Sequence, residues 1–168
     1  MVLLITTKDI KRNSIIDGSV DVDKFIQYLK IAQDIHIQQY LGTDLLVALQ
    51  DKIQNGTLDD VANADYKNLL LTHVKPMLIY WGLVEYYPFA AYTIGNGGVY
   101  KHTSETSETV NKEEVDFLIQ KAQSTAQNYT KRFMDYICNN SVLFPEYSSN
   151  TGEDVSPSGD ANFSGWVL

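Results

Sequence analysis

Hydrophobic residues recur at every third or fourth position from Lys24 to Leu41, which is the spacing of an amphipathic helix with one buried face. In two turns of the helix, the spacing does not decide which of two residues lies on the buried face. The candidate buried residues are Phe25, Leu29, Ala32, Ile35 or His36, and Gln39 or Tyr40. We predict that this helix ends at Gly42, because glycine adopts the left-handed backbone that closes many helices at the least cost.

A second, shorter helix is predicted directly after Gly42. Thr43 or Asp44 is expected to cap its first turn, since their side-chain oxygens can accept hydrogen bonds from free backbone N–H groups. The pair Asn55-Gly56 is expected to end it.

Two more helices are predicted further along the chain. Residues 64–92 are apolar on more than one face, so this helix is expected to be the central and most enclosed one, with a bend near Pro76. Asn111–Cys138 carries a regular apolar stripe that is expected to pack against other helices. The stripe consists of Val115, Ile119, Ala122, Ala126, Tyr129, Phe133 and Ile137.

A glycine-rich stretch separates the third and fourth helices. Asn96-Gly97 is the preferred pair for a type I′ turn, and strand-forming residues flank it on both sides. We therefore predict a small β-hairpin insertion over residues 94–100. The predicted fold is all-α: a four-helix bundle with a long kinked central helix, this hairpin and an extended C-terminal tail.

The composition changes after residue 140. We predict a helical domain over residues 1–140 and a tail over residues 141–168, with Val142 to Phe144 extended before Pro145 and residues 148–162 flexible. The tail ends in an apolar hook that contains Phe163, Trp166, Val167 and Leu168. Burial of the hook can offset its ordering entropy only in a good groove, on its own domain or across a subunit boundary.

Length and charge limit the classes of function. The 168 residues fit one domain plus short extensions, and no apolar run is long enough to span a bilayer. The net charge of −8 opposes tight binding to nucleic acid phosphates. The single cysteine, Cys138, excludes an internal disulfide and a cysteine-based zinc site, and it is predicted to be buried or half-buried.

Catalytic and metal-binding motifs are missing from the sequence. The acidic residues Asp17, Asp21 and Asp23 lack the order of a calcium loop, and the glycine spacing of residues 94–100 does not fit a phosphate loop. His73 is predicted to be a hydrogen-bonded core residue rather than a metal ligand. We therefore expect no catalytic residues, no cofactor and no metal, and we expect that the protein is not an enzyme.

An amphipathic helix that closes on Tyr40-Leu41-Gly42 and is followed by a short capped helix resembles the head–tail connector proteins of tailed bacteriophages. The resemblance covers the first two helices and, more loosely, the all-helical plan of residues 1–140. That family often has a basic residue after this glycine, where this chain has Thr43.

The resemblance implies a structural virion protein that forms a dodecameric ring at the phage neck, between portal and tail, after synthesis in the bacterial host cytoplasm. Its partners would be copies of itself, the portal protein and tail or further neck proteins. DNA would pass through the channel without specific binding, and no membrane would be involved. The alternative is a cytosolic helical protein-binding module or regulator without catalytic activity.

If the resemblance holds, the predicted hairpin and the hook are the segments expected to join subunits or partners. The expected contact residues are Ile94, Gly95, Asn96, Gly97, Gly98, Val99, Tyr100, Phe163, Trp166, Val167 and Leu168.

Overall fold

A computed structural model describes residues 2–13, 22–90, 92–95, 98–101, 112–149, 151 and 154–160. These residues are mostly helical, which confirms the all-α class. The α-helices in chain order are α1 (Thr7–Asn13), α2 (Val22–Ala32), α3 (Gln38–Leu41), α4 (Thr43–Gln54), α5 (Ala64–Asn68), α6 (Lys75–Tyr86), α7 (Lys112–Asn139) and α8 (Pro145–Ser149).

Two short strands lie between α6 and α7. Strand β1 (Tyr92–Gly95) pairs antiparallel with β2 (Gly98–Lys101), with Ile94 opposite Val99. Asn96 and Gly97, the predicted turn residues, lie outside the described residues, so the type I′ turn stays a prediction.

The first predicted helix contains a π-turn, Gln33–Ile37, between α2 and α3. The N–H of Gln38 donates to the carbonyl of Gln33, five residues back, so one extra residue is accommodated within the turn. This resolves the ambiguity of the sequence pattern. His36 and Tyr40 are buried, whereas Ile35 is 51% exposed.

The buried π-turn residue Gln33 holds the N-terminal segment in place. Its side-chain oxygen accepts from the N–H of Leu4 at 2.9 Å, and its amide donates to the carbonyl of Val2 at 3.1 Å. Gln50 donates to the same carbonyl at 2.7 Å. Val2 and Leu4 are thereby hydrogen-bonded to the two helices predicted on either side of Gly42.

A second π-turn, Leu69–Val74, lies between α5 and α6, where we predicted a bend. The N–H of Lys75 donates to the carbonyl of Leu70, again five residues back. Pro76 follows in the first turn of α6, and it has no N–H to donate to a carbonyl of the π-turn before it. The proline is thus accommodated by a change of hydrogen-bond pattern within one helical path.

Helix α6 is the central helix, as predicted. It packs against α2 on one side and α7 on the other. The indole ring of Trp81 stacks on His36, with ring centroids 4.0 Å apart, and its N–H donates to the hydroxyl of Thr130 at 3.1 Å. The residues of α6 that are buried are Met77, Leu78, Ile79, Trp81, Gly82 and Leu83.

The apolar stripe predicted for α7 faces this core. Ala122, Ala126, Phe133 and Ile137 are buried, and Tyr129 is half-buried against the core. Cys138 is exposed, so its predicted burial is wrong. It follows Ile137 directly, and one helical step of about 100° turns its side chain away from the stripe.

The segment after α7 differs from the prediction of an extended chain. Ser141–Leu143 forms a 3₁₀ turn, and Pro145 begins α8. Phe144, between them, is fully buried and packs edge-on against Tyr66. Burial of this side chain holds residues 141–149 on the helices, which local sequence preferences do not indicate.

Helices α2 and α6 approach closely at Gly82. A Cβ atom at this position would lie 2.5 Å from Cδ2 of Leu29 and 3.6 Å from Cζ of Phe25. Both side chains are fully buried, so neither can move aside into solvent. Glycine at this position therefore sets the distance between the two helices.

Replacing Gly82 by Ala is expected to lower the free energy of unfolding by about 1 kcal/mol. Overpacking costs about 1–3 kcal/mol, and the better helix propensity of alanine returns up to about 1 kcal/mol. Urea unfolding followed by far-UV circular dichroism measures the change.

A Leu29→Ala background provides the control, because it makes room for the added methyl group. In that background Gly82→Ala is expected to raise the free energy of unfolding. An equal loss in both backgrounds would contradict the close contact.

Candidate interaction site at the α3–α4 corner

The sharp corner between α3 and α4 is built on Gly42. Its φ is 76° and its ψ is 161°, a region that residues other than glycine enter only under strain. Its N–H donates to the carbonyl of Gln38 at 2.8 Å. Tyr40 and Leu41, just before it, are 1% and 0% exposed. The predicted glycine stop is confirmed, and the two residues before it are core residues.

The first turn of α4 is capped by a distant part of the chain. The N–H of Thr43 donates to the carbonyl of Val155 at 3.0 Å, and the N–H of Val155 donates to the hydroxyl of Thr43 at 3.2 Å. The N-cap residue is Gly42, and no side chain caps this end, so the predicted capping by Thr43 or Asp44 is wrong.

Residues 154–160, which we call the strap, continue along the corner. Gln38 donates its side-chain amide to the carboxylate of Asp154 at 3.1 Å. The N–H of Ser158 donates to the carbonyl of Gln39 at 2.8 Å. This part of the tail, predicted to be flexible, is therefore hydrogen-bonded to its own helices.

The approach to the strap is also anchored. The N–H of Thr151 donates to the carboxylate of Asp44 at 2.7 Å. Gln38 also donates to the hydroxyl of Thr43 at 2.9 Å, which orients that hydroxyl toward the strap. The corner thus presents backbone N–H, backbone carbonyl, hydroxyl, amide and carboxylate groups to one extended segment.

The electrostatics of the corner reflect the acidic strap. Burial, and then the nearby charge of Asp160, raise the pKa of Tyr40 to about 12. Asp154 lies near the N-terminal end of α4, where the helix dipole favours negative charge.

Cavities lined by described residues border the helices. An open polar cavity of about 440 Å³ lies where the strap meets α7, and its lining includes Ser124, Lys131, Asp135 and Asp160. A smaller one of about 210 Å³ is lined by Asp9, Lys75, Tyr80 and Tyr129. No group of three or more His, Cys, Asp or Glu side chains within the described ranges could hold a metal ion.

The ion pair in the smaller cavity has a structural function. The Lys75 ammonium donates to Asp9 at 2.9 Å and so ties α1 to α6. Burial favours the neutral form of Asp9, but hydrogen bonds from Lys75 and Thr6 outweigh it and lower its pKa. Thr6 and Asp9 also form a reciprocal cap at the start of α1.

The two described histidines lie in different surroundings. His36 bonds through Nε2 to the carboxylate of Glu85 at 2.8 Å. His73 stacks on Tyr136, with centroids 4.2 Å apart, and its buried Nδ1 has no hydrogen-bond partner in the described part of the chain. The predicted hydrogen bonding is therefore wrong for Nδ1 of His73, and the ring is stacked on Tyr136. Burial, and then the charge of Arg132, lower its pKa.

The residues of the connector-like helix stop and the predicted contact residues are only partly described. Tyr40, Leu41 and Gly42 form the corner, and Ile94, Gly95, Gly98, Val99 and Tyr100 lie in the two strands. Asn96, Gly97, Phe163, Trp166, Val167 and Leu168 lie outside the described residues. Sequence reasoning missed Gln38, Gln39 and the strap, because a contact between residues more than 100 positions apart leaves no periodic signal.

The fold and site define an all-α protein in which the strap is bound at the corner between α3 and α4. The chain belongs to a family of unknown function, DUF6712, which it matches over residues 37–156. The match begins just before the corner and ends within the strap. Neither the comparison with curated proteins nor that with solved structures gave a match. No helix of the described ranges is long and apolar enough to cross a membrane.

Replacing Gly42 by Ala is expected to lower the free energy of unfolding by about 1–3 kcal/mol, because alanine is strained at this φ and ψ. Gly159→Ala in the strap is the matched control. A Cβ there would meet nothing within 4 Å, so a change below about 1 kcal/mol is expected. If urea unfolding showed that both substitutions lowered the free energy of unfolding by the same amount, alanine would not be specifically strained at position 42.

Stability is expected to depend on pH through His73. The folded protein holds its pKa below the ordinary value of 6.5. The unfolded chain therefore binds more protons as the pH falls below that value, and the free energy of unfolding decreases until the folded-state pKa is passed. His73→Phe keeps the stacking and removes the titration.

The test compares unfolding by urea at about pH 8 and about pH 5. The loss of stability between them is expected to be smaller in His73→Phe than in the original chain. An unchanged loss would show that His73 does not contribute to it.

Proposed function

We propose that the chain is a ring-forming head–tail connector subunit of a tailed bacteriophage. It would sit at the virion neck, between the portal and the tail, as one segment of the DNA channel. The observation that carries the proposal is the corner. The resemblance to connectors rests on Tyr40-Leu41-Gly42 between two helices, and at this position the structure has a buried helix end, a glycine at positive φ and a second helix.

In this proposal the subunit is a four-helix bundle made of α2 with α3, α4, α5 with α6, and α7. The second π-turn and α6 together run antiparallel to α7, since His73 of the π-turn lies beside Tyr136 and Trp81 of α6 lies beside Thr130. Helix α7, at 28 residues, is about 42 Å long, and its first turns project beyond the end of α6. The bundle thus has two distant ends that are available for different partners.

Both ends carry exposed apolar side chains. At the end where the strands emerge, Phe117 is 66% and Phe89 is 51% exposed. At the opposite end, Val61 is 94% and Val142 is 92% exposed. Exposed apolar groups on opposite ends support a subunit that contacts one protein above it and another below it. The partners proposed are the portal and a tail or further neck protein.

The charge is compatible with a channel that DNA traverses. The sequence has 21 acidic and 13 basic residues. An acidic wall repels phosphates and so avoids holding DNA in place. The paired strands and the apolar hook, Phe163 to Leu168, are proposed as contacts between subunits in the ring.

The alternative is a helical protein-binding module or regulator that works as a monomer or dimer. The exposed Phe117 and Phe89 support a protein-binding surface in that case as well. The two functions differ in oligomeric state, because only the connector requires a head-to-tail interface that closes into a ring.

The test is the native mass of the protein, alone and with a portal protein, together with negative-stain images of any large species. A closed ring is expected, and it would exclude the alternative. A chain that stays monomeric or dimeric with portals from several phage groups would overturn the connector proposal.

Deletion of residues 162–168 is expected to leave the helical circular dichroism spectrum unchanged and to weaken assembly. A full-length chain with Phe163→Ser and Trp166→Ser is the matched variant, since it keeps the length but loses the apolar groups. An unchanged oligomer by light scattering in both variants would contradict a role of the hook in assembly.

A further inference from the structure

The polar groups of the corner are positioned to bind a segment of polypeptide chain. It offers the N–H and hydroxyl of Thr43, the carbonyl of Gln39 and the carboxylate of Asp44 along one edge. Within the present chain these groups bind Thr151, Val155 and Ser158. Most of the bonds go to backbone atoms of the bound segment, as in recognition by strand addition.

The strap is hydrogen-bonded to the corner at Asp154, Val155 and Ser158. Val155 and Pro157 are half-buried, whereas Asp154, Ser156, Gly159 and Asp160 are exposed. Each hydrogen bond to the corner contributes a net of about 0.5–1.5 kcal/mol. A short, polar and partly exposed segment of this kind opens at much lower free energy than the helical core does.

Strap and corner are two different surfaces of one chain that are complementary to each other. When such a pair joins neighbouring copies rather than parts of the same copy, the interface is heterologous, and it closes into a ring if the rotation permits. The contacts at Thr43, Gln39 and Asp44 are the same whichever copy supplies the strap.

We infer that in the assembled ring the corner, Gln38–Asp44, binds the strap of a neighbouring copy of this chain. This rests on the proposed ring. Neighbours in a ring hold the strap at an effective concentration on the order of millimolar, so exchange between copies competes with binding within one copy. The strap would also carry the hook of one subunit onto the next.

Mixed disulfide formation tests the exchange in the full-length chain. The exposed Cys138 is first replaced by Ser, and Thr43→Cys and Val155→Cys are then placed in separate chains. The N–H of Thr43 donates to the carbonyl of Val155, and the N–H of Val155 donates to the Thr43 side chain, so the two residues are direct neighbours. A disulfide forms where the two Cα atoms lie about 4.4–6.8 Å apart, and closure of the double variant within one chain verifies that they do. A single-cysteine chain cannot close on itself, so a covalent heterodimer between the two chains reports exchange.

Two controls accompany the mixture. The double variant, with Thr43→Cys and Val155→Cys in one chain, reports the bond within a copy. A mixture of the Thr43→Cys chain with a Val61→Cys chain reports random collision, because Val61 is 94% exposed and lies beyond the other end of α4. If the first pair fails to fold, Gln39→Cys with Ser158→Cys replaces it.

Under assembling conditions we expect at least about tenfold more heterodimer from the exchange pair than from the collision control. Equal yields, with the double variant closing within one chain, would overturn the inference. A ring without mixed disulfides rejects exchange but leaves the connector function in place. Mixed disulfides in a species that never closes support exchange and reject the ring.

Discussion

The indole ring of Trp81 is the contact on which the arrangement of the helices depends. It stacks on His36 in the first π-turn and donates to Thr130 in α7, so three helical segments meet at one side chain. The adjacent Gly82 lets α2 approach α6 closely. Because α3 continues directly from the π-turn, this contact also fixes where Tyr40 enters the core and where the corner begins.

Each π-turn solves a local problem of its helix. In the first, Gln33 faces inward and satisfies the backbone of Val2 and Leu4. In the second, the helix accommodates Pro76 without a break. A π-turn hydrogen-bonds less favourably than an α-turn, and burial of the neighbouring side chains offsets that cost. The local irregularities are therefore stabilised by packing.

The sequence pattern predicted what depends on local rules. The stripe of α7 and the closing glycine at residue 42 follow from helical periodicity and backbone sterics, and both were found. The choice between Ile35 and His36 could not be made, because periodicity assumes an α-helix throughout. The strap and the burial of Phe144 depend on contacts between distant residues. A polar tail of Ser, Gly and Asp carries no pattern that identifies its binding site.

The first π-turn also constrains how genes for this protein can change in length. The turn Gln33–Ile37 holds one residue more than a regular helical turn. Deletion of one codon there would restore a regular helix that keeps Tyr40 and Leu41 on the buried face. A helix advances about 100° per residue, so loss of a codon within residues 38–41, where no extra residue is held, would turn the corner in another direction. The number of residues between the π-turn and Gly42 is therefore as restrictive as the identity of Gly42 itself.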